Sequence, residues 1–490
     1  MKNYSIQFNA EEFRDRVYAC WLGKNIGGTM GTPYEGTREM LDIQGFASEA
    51  GAPLPNDDLD LQLVWLFAVE RLGAKAINAS VLGEFWLSFL PPHWNEYGIG
   101  KINMKRGLIP PLAGDYKNPW KHSNGAWIRT EVWACMAPAA PAIAARYAIE
   151  DAKVDHGAGE GTFAAAFVAA MQSAAFALTD LRQCIEIGLA QIPAESRMAD
   201  SIRLVMDCYD RGVSPMEARN IIQKRNADIG DGWFEAPSNV AYAVLGLLYG
   251  EGDFKKSMIT AINCGDDTDC TGATVGATLG IMGGMKVIPE DWRAHIGDDI
   301  VTISIDRGGV CRKLPANCTE LTDRVVAQTP HMLFLNHADV TLTVGETVIP
   351  ENAAEILAAA NVLKEVTELK PYSMHFDFTF ASVDVVLDDA PDIAPMGERK
   401  VKMTVINNVD TFDRCYHNLT FRWWLPEGFT VEGGSKTALL TRRDRRQGAS
   451  ITMEYTLKAG ETVEATNRCV LEIVGEGRHT PMYVPVLLLG

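Results

Sequence analysis

The chain has 490 residues, enough for two to four domains of ordinary size, so a small staple-dependent module is excluded. With 47% apolar and 22% charged residues the composition is globular, far from intrinsic disorder or a coiled coil. A formal net charge of −18 repels phosphate backbones and anionic lipid, and no apolar run approaches the roughly 20 residues that span a bilayer. Neither nucleic acid nor a membrane is an expected partner.

The N-terminal stretch passes directly into the charged run Glu11–Arg16, with no apolar core of a signal peptide, and the expected location is cytoplasmic. Ten scattered cysteines without a C-x-x-C pair are expected to be reduced thiols acting as small apolar residues. From about Ala10 to Asp291 the pattern is helical, rich in Ala, Leu and Met, as in Phe163–Leu178, Ser196–Tyr209 and Asn239–Tyr249. An all-α domain is expected over residues 1–325. Residues 326–370 read as a connecting segment with a strand-like Val340–Val344 and an amphipathic helix near Ala353–Leu369. Beyond it, Val401, Met403 and Val405 alternate with Lys402 and Thr404, and Ile451, Met453, Tyr455 and Leu457 alternate with Thr452, Glu454 and Thr456. With turn signals at Pro426–Gly428, Glu432–Gly434 and Lys458–Gly460, this predicts an antiparallel, immunoglobulin-like β-sandwich over residues 371–490. In Trp423-Trp424 one indole falls on each sheet face.

Two acidic clusters carry the chemistry. Asn56-Asp57-Asp58-Leu59-Asp60 precedes a helical run, Leu61–Leu72, and Asp266-Asp267-Thr268-Asp269-Cys270 opens another. Asn and Asp at helix starts serve as N-caps and complement the helix dipole. Three carboxylates within four positions also repel one another more than a dipole can offset, and a divalent ion would relieve that repulsion. The oxygen-rich donor set suits Mg²⁺, Mn²⁺ or Ca²⁺ rather than zinc, and the spacing is not that of an EF-hand loop. After the second cluster, Gly272, Gly276, Gly280 and Gly284 recur every fourth residue, which lines one helix face with bare backbone. Interior glycines cost about 1 kcal/mol each relative to alanine, so this helix is expected to be central and closely packed.

The run Asp15–Gly23 with Gly27-Gly-Thr-Met-Gly31-Thr-Pro-Tyr-Glu35, then Asn56–Asp58, Ser123-Asn-Gly-Ala-Trp-Ile-Arg129, His156 and Gly265–Cys270, resembles the ADP-ribosylglycohydrolase superfamily in motif content and order. That group includes dinitrogenase reductase-activating glycohydrolase. The resemblance spans about Arg14 to Gly284 and implies an all-α fold that holds two Mg²⁺ ions and hydrolyses the bond at the anomeric carbon of a ribose. It implies metal ligation by Asn56, Asp57, Asp58, Asp267 and Asp269, with Asn56 and Cys270 standing where the superfamily has hydroxyl ligands. It further implies catalytic roles for Glu35 and Asp58, phosphate contact by Ser123, Asn124 and Gly125, and a place near the ribose for His156. Arg129 reads as an internal buttress for a carboxylate.

The expected activity is thus metal-dependent hydrolysis of an N- or O-glycosidic bond on a small-molecule or protein-attached ribosyl substrate. One alternative is a glycosidase acting on a nucleoside or another furanosyl compound unrelated to ADP-ribose. A second is a non-catalytic, metal-stabilised binding protein. One or two ions and a homo-oligomer are both compatible with the sequence. Trp86, Trp94, Trp120, Trp127 and Trp133, which follow the first acidic cluster, offer either core packing or a stacking surface for a sugar or base.

Overall fold

Helix Ala10–Gly31 carries Gly23, Gly27 and Gly31 at the same four-residue spacing that Gly272, Gly276 and Gly280 have on helix Thr268–Gly283. In a computed structural model of the chain the two stripes face each other. A Cβ on Gly23 would overlap the Gly276 carbonyl, one on Gly27 the Gly272 carbonyl, and one on Gly31 the backbone of Thr268 and Asp269. The helices therefore touch backbone to backbone, which is what the missing side chains permit. Both helices are almost entirely buried from Ala19 to Gly31 and from Thr268 to Ile281.

The structure describes residues 4–51, 53–230, 232–305, 314–408, 417–440 and 449–490. The chain forms two compact units, Met1–Gly98 with Pro119–Glu368, and Ile99–Asn118 with Leu369–Gly490. The first is helical. Around the glycine-paired helices lie Asp60–Leu72, Pro141–Ala152, Glu160–Ala174, Arg197–Asp210 and Ala236–Gly250, whose apolar positions bury Leu63, Trp65, Ala148, Phe167, Ile202 and Leu245. Residues 326–368 lie in this unit and hold the end of helix Cys318–Leu335, a strand and two short helices. Strand β1 (Ile6–Asn9) pairs in parallel with β2 (Val340–Thr343), so the strand expected near Val340 finds a four-residue partner too short to show a period in the sequence. The amphipathic helix expected near Ala353–Leu369 is split into Ala353–Ala358 and Leu363–Glu368. Asn361 Oδ1 accepts the Leu363 N–H at 3.1 Å and starts the second piece.

The second unit contains β3 (Ser373–Asp377), β4 (Ala381–Leu387), β5 (Glu398–Asn407), β6 (His417–Trp424), β7 (Thr430–Gly433), β8 (Thr437–Leu440), β9 (Ser450–Lys458), β10 (Thr466–Gly475) and β11 (Met482–Leu489). They form two antiparallel sheets of a β-sandwich, ordered β3-β4-β5-β9-β7 and β11-β10-β6-β8. The register places Val401, Met403 and Val405 opposite Tyr455, Met453 and Ile451, so the two alternating runs read from the sequence are neighbours on one sheet. Trp423 packs edge-on against Tyr455 at 5.2 Å, while Trp424 is exposed, with the Arg422 guanidinium 3.9 Å above its ring. Within the same unit Tyr116 donates its hydroxyl to Asp392 Oδ1 at 2.7 Å.

Among the described residues no helix is long and apolar enough to cross a membrane. The described cysteines are free and buried, as expected for packing residues; Cys311 and Cys415 lie outside the described residues.

Candidate active site

Neither acidic cluster caps its helix. Helix Asp60–Leu72 begins after Leu59 and helix Thr268–Gly283 after Asp267, and neither N-cap side chain accepts a capping bond. Asn56 instead folds the first cluster into an Asx turn: its Oδ1 accepts the Asp58 N–H at 2.8 Å, and its Nδ2 donates to Asp269 Oδ2 at 2.8 Å. Asp60 is spent on structure, its Oδ2 accepting the N–H groups of Ile303 and Ser304. In the second cluster Asp266 adopts a left-handed conformation (φ 66°), held by the Phe234 N–H at 3.1 Å and the Asn239 amide at 2.9 Å. This kink separates Asp266 from Asp267 and Asp269, which turn into a cleft.

The cleft has a volume of about 670 Å³, and Glu35, Asn56, Asp57, Asp267, Asp269 and Cys270 are part of its wall. The glycine-paired helices explain why these distant segments meet. One helix leads to Glu35, the other begins at Asp267–Cys270, and their backbone contact sets the distance between them. Glu35, Asp267 and Asp269 each bring a carboxylate oxygen within 4.8 Å of the others, and so do Asp58, Asp269 and the Cys270 sulfur. Both oxygens of Asp58, Oδ1 of Asp267 and Oδ1 of Asp269 are buried with no hydrogen-bond partner. The remaining oxygens are held: Asn124 Nδ2 donates to Asp267 Oδ2 at 2.6 Å and Tyr97 OH to Asp57 Oδ2 at 3.0 Å.

Asp269 is the charge to which its neighbours respond. Its repulsion, followed by desolvation and Asp57, pushes the Glu35 carboxyl up to about 8. Burial and then Asp269 push Asp57 up to about 6 and hold Asp267 well above the usual carboxylate range. Asp58 is raised by burial, opposed by the nearby Lys24 ammonium. Buried, unpartnered carboxylate oxygens at this density fit a hard divalent cation, which satisfies each of them and removes the repulsion. The Cys270 thiol, pushed well above its usual range by burial and the surrounding aspartates, is a neutral and poor donor to such an ion.

Of the other residues singled out in the sequence, Ser123, Asn124 and Gly125 line the cleft. His156 does not; it is fully buried behind them, with Nε2 3.3 Å from Ser123 Oγ and Nδ1 2.9 Å from Asp155 Oδ1. Asp58 likewise sits beneath the cleft wall, 1% exposed, rather than on its surface. Arg129 is the internal buttress expected: it pairs with Asp151 at 2.9 Å and Asp155 at 2.8 Å and ties down the Gly125 carbonyl. Trp86, Trp127 and Trp133 are core residues, whereas Trp94 is 45% exposed in the cleft wall.

Three site residues escape the sequence reading. Glu96 and Tyr97 lie in a helix start with no flanking motif, and Glu96 lies so close to Gly125 that a Cβ there would overlap its Oε1. Lys24, fully buried with Nζ 3.2 Å from Glu131 and 4.0 Å from Asp58, stood between two motif glycines as an unremarked helix residue. A lysine within the glycine stripe, where the helix must be buried, is the signal that could have found it.

Comparison with known proteins bears on the same segments. A family model for ADP-ribosylglycohydrolase matches residues 9–327, well over half of the chain, and spans every motif described above. A search of curated proteins finds no match. Among solved structures, one described as an ADP-ribosylglycohydrolase-related protein complex is similar over 66% of this chain and 99% of its own, at 20% identity and TM-score 0.42. A FixG-related protein from Vibrio parahaemolyticus covers 23% of this chain and 97% of its own, at 13% identity and TM-score 0.19. The GAE domain of GGA2p from Saccharomyces cerevisiae covers 24% and 96%, at 9% identity and TM-score 0.16. On the extent of the family match, the chain belongs to the ADP-ribosylglycohydrolase family of glycosidic-bond hydrolases.

Proposed function

We propose that the protein is a metal-dependent hydrolase that cleaves an N- or O-glycosidic bond at the anomeric carbon of a ribosyl, ADP-ribosyl-like substrate. The observation that carries this reading is the convergence of unpartnered carboxylate oxygens from distant segments of the family region, those of Asp267 and Asp269 in the cleft wall and those of Asp58 beneath it. Asp57, Asp58, Asp267 and Asp269 supply the negative charge that would hold the ion, Asp267 and Asp269 through their free Oδ1 atoms, with Asn56 and Asn124 orienting Asp269 and Asp267 through their amide N–H groups. A bound Mg²⁺, or Mn²⁺ or Ca²⁺ in its place, supplies Lewis-acid binding of a vicinal diol and acidifies coordinated water.

The chain's own groups do the rest. Cleavage builds positive charge on the sugar ring, which a wall of carboxylates supports. Glu35 is the exposed member of its carboxylate cluster and lines the cleft, where a leaving group can reach it, and its partial burial still favours the protonated carboxyl once an ion has offset the repulsion of Asp269. It is therefore suited to protonate the leaving group and then to take a proton from water. Ser123, Asn124 and Gly125 form the wall against which the substrate rests, and His156 orients the Ser123 hydroxyl from behind. Asp58, beneath the wall, acts through the charge of the cage rather than by touching substrate. The exposed Trp94 ring offers a stacking face.

Glu35→Gln is expected to lower kcat by about 100-fold or more with little change in KM, measured with Mg²⁺ on N-ribosyl and O-ribosyl substrates with and without a pyrophosphate. Full turnover by this variant removes Glu35 from the mechanism. No turnover of any ribosyl substrate by the wild type with any divalent ion removes the hydrolase reading itself.

One observation favours a second reading. No Lys or Arg lines the cleft among the described residues, so apart from the His93 imidazole a pyrophosphate would meet no fixed positive charge there. A nucleoside or other uncharged furanoside suits such a wall better. Competition by ADP separates the two: it inhibits an enzyme for ADP-ribosyl substrates and leaves a simple furanosidase unaffected.

A further inference from the structure

The two halves of the carboxylate cage are not alike. On one side Glu35, Asp267 and Asp269 present three hard oxygen donors. On the other, Asp58 and Asp269 are joined by the Cys270 sulfur, and the Lys24 ammonium lies 4.0 Å from Asp58 Oδ2. Lys24 is 1% exposed and is anchored from below by Glu131, which stands 3.2 Å away and also accepts Nε2 protons from Gln62 at 2.9 Å and Gln172 at 3.0 Å. The ammonium is thus held in place by a fully hydrogen-bonded partner, on a helix whose backbone contact with Thr268–Gly283 leaves it little room to withdraw. Yet its Nζ makes no hydrogen bond of good geometry, and both oxygens of Asp58 lack a partner. The attraction between them is one of charge between two buried groups, where it is stronger than at the surface.

We propose that Lys24 is a built-in cation that takes the electrostatic place of one metal ion, so that the centre binds a single divalent ion, at the free oxygens of Asp267 and Asp269. An ion ligated by Asp58 would sit against the Lys24 ammonium and beside the soft Cys270 sulfur in place of a hard oxygen donor. Both features disfavour it. On the other side the Oδ1 atoms of Asp267 and Asp269 are buried without a hydrogen-bond partner, and neither aspartate forms a salt bridge with a described Lys or Arg. The inference rests on the proposal that the cage binds a divalent ion at all.

The test uses Mn²⁺ as probe and metal content as readout. Wild-type protein freed of metal, saturated with Mn²⁺ and desalted is expected to retain one manganese per chain, with the six-line paramagnetic resonance spectrum of an isolated ion. The variant Lys24→Met/Cys270→Thr, which removes the ammonium and supplies a hydroxyl, is expected to retain two, with the broadened spectrum of a coupled pair. Two ions of comparable affinity in the wild type overturn the assignment without reference to any variant. A folded double variant that still holds one ion overturns the role of Lys24. Retention of no ion by either protein contradicts the metal reading on which the inference rests, a different result from either of the others.

Discussion

Asp269→Asn is expected to abolish divalent-ion stabilisation and to lower turnover by at least about 100-fold, while making the metal-free protein more stable at pH 8. The opposite signs follow from one fact: Asp269 repels Glu35, Asp57, Asp58 and Asp267 at once. Without an ion that repulsion is a cost of folding. The folded-state values, about 8 for Glu35 and about 6 for Asp57, lie above the values near 4 of the unfolded chain. The folded state therefore keeps protons that the unfolded state releases. The stability linked to those protons is fully present below about pH 4 and is lost as pH rises through about 6 and then about 8. Melting curves in EDTA should accordingly show the variant above the wild type by about 2 °C at pH 8, with the gap closing toward pH 5. With Mg²⁺ the order should reverse. A variant that melts below the wild type in EDTA at pH 8 would show that Asp269 holds the fold together by some interaction other than the one described.

Gly27→Ala is the second large effect, expected to cost about 3 kcal/mol or more of stability and to weaken the metal centre with it. The added methyl would overlap the Gly272 carbonyl and the Ala273 nitrogen, which are backbone atoms that cannot rotate away. The helices must separate, and the displaced helix is the one whose first turn carries Asp267, Asp269 and Cys270. Gly45→Ala, where nothing lies within 4 Å of the new methyl, is the control and should stay within about 0.5 kcal/mol of the wild type. Chemical denaturation in EDTA measures the first effect, and Mg²⁺ titration of whatever folded Gly27→Ala protein remains measures the second. Wild-type stability in Gly27→Ala would mean that the two helices do not touch.

Much of this arrangement is legible in the chain itself because close backbone packing leaves a mark in composition. Four glycines at strict spacing predict a bare helix face, and the facing stripe at Gly23, Gly27 and Gly31 lies in a segment that the family motifs pick out independently. The sandwich is legible for a similar reason: alternation at period two survives in β5 and β9, which pair directly. The acids are legible as a cluster but not as a site. Asn and Asp before a helix are ordinary caps, and only the coordinates show that their side chains leave the capping positions empty and turn to one another. Lys24 and Glu96 were illegible because neither belongs to a pattern; each acquires its meaning from a partner distant in sequence, Asp58 and Glu131 for the one, Gly125 for the other. His156 is legible as a motif residue but not in its burial. It is fully buried and reaches the cleft only through Ser123, whose hydroxyl its Nε2 meets.

The convergence of the two aspartate pairs on a hard cation is the claim from which the catalytic reading follows. Diffraction at the manganese absorption edge, from crystals grown with Mn²⁺, addresses it without reference to substrate or rate. An anomalous peak inside the cleft, ligated by the free oxygens of Asp267 and Asp269, is the expected result. Well-ordered crystals at saturating Mn²⁺ with no peak among these carboxylates, or with manganese bound solely at the protein surface, would contradict it.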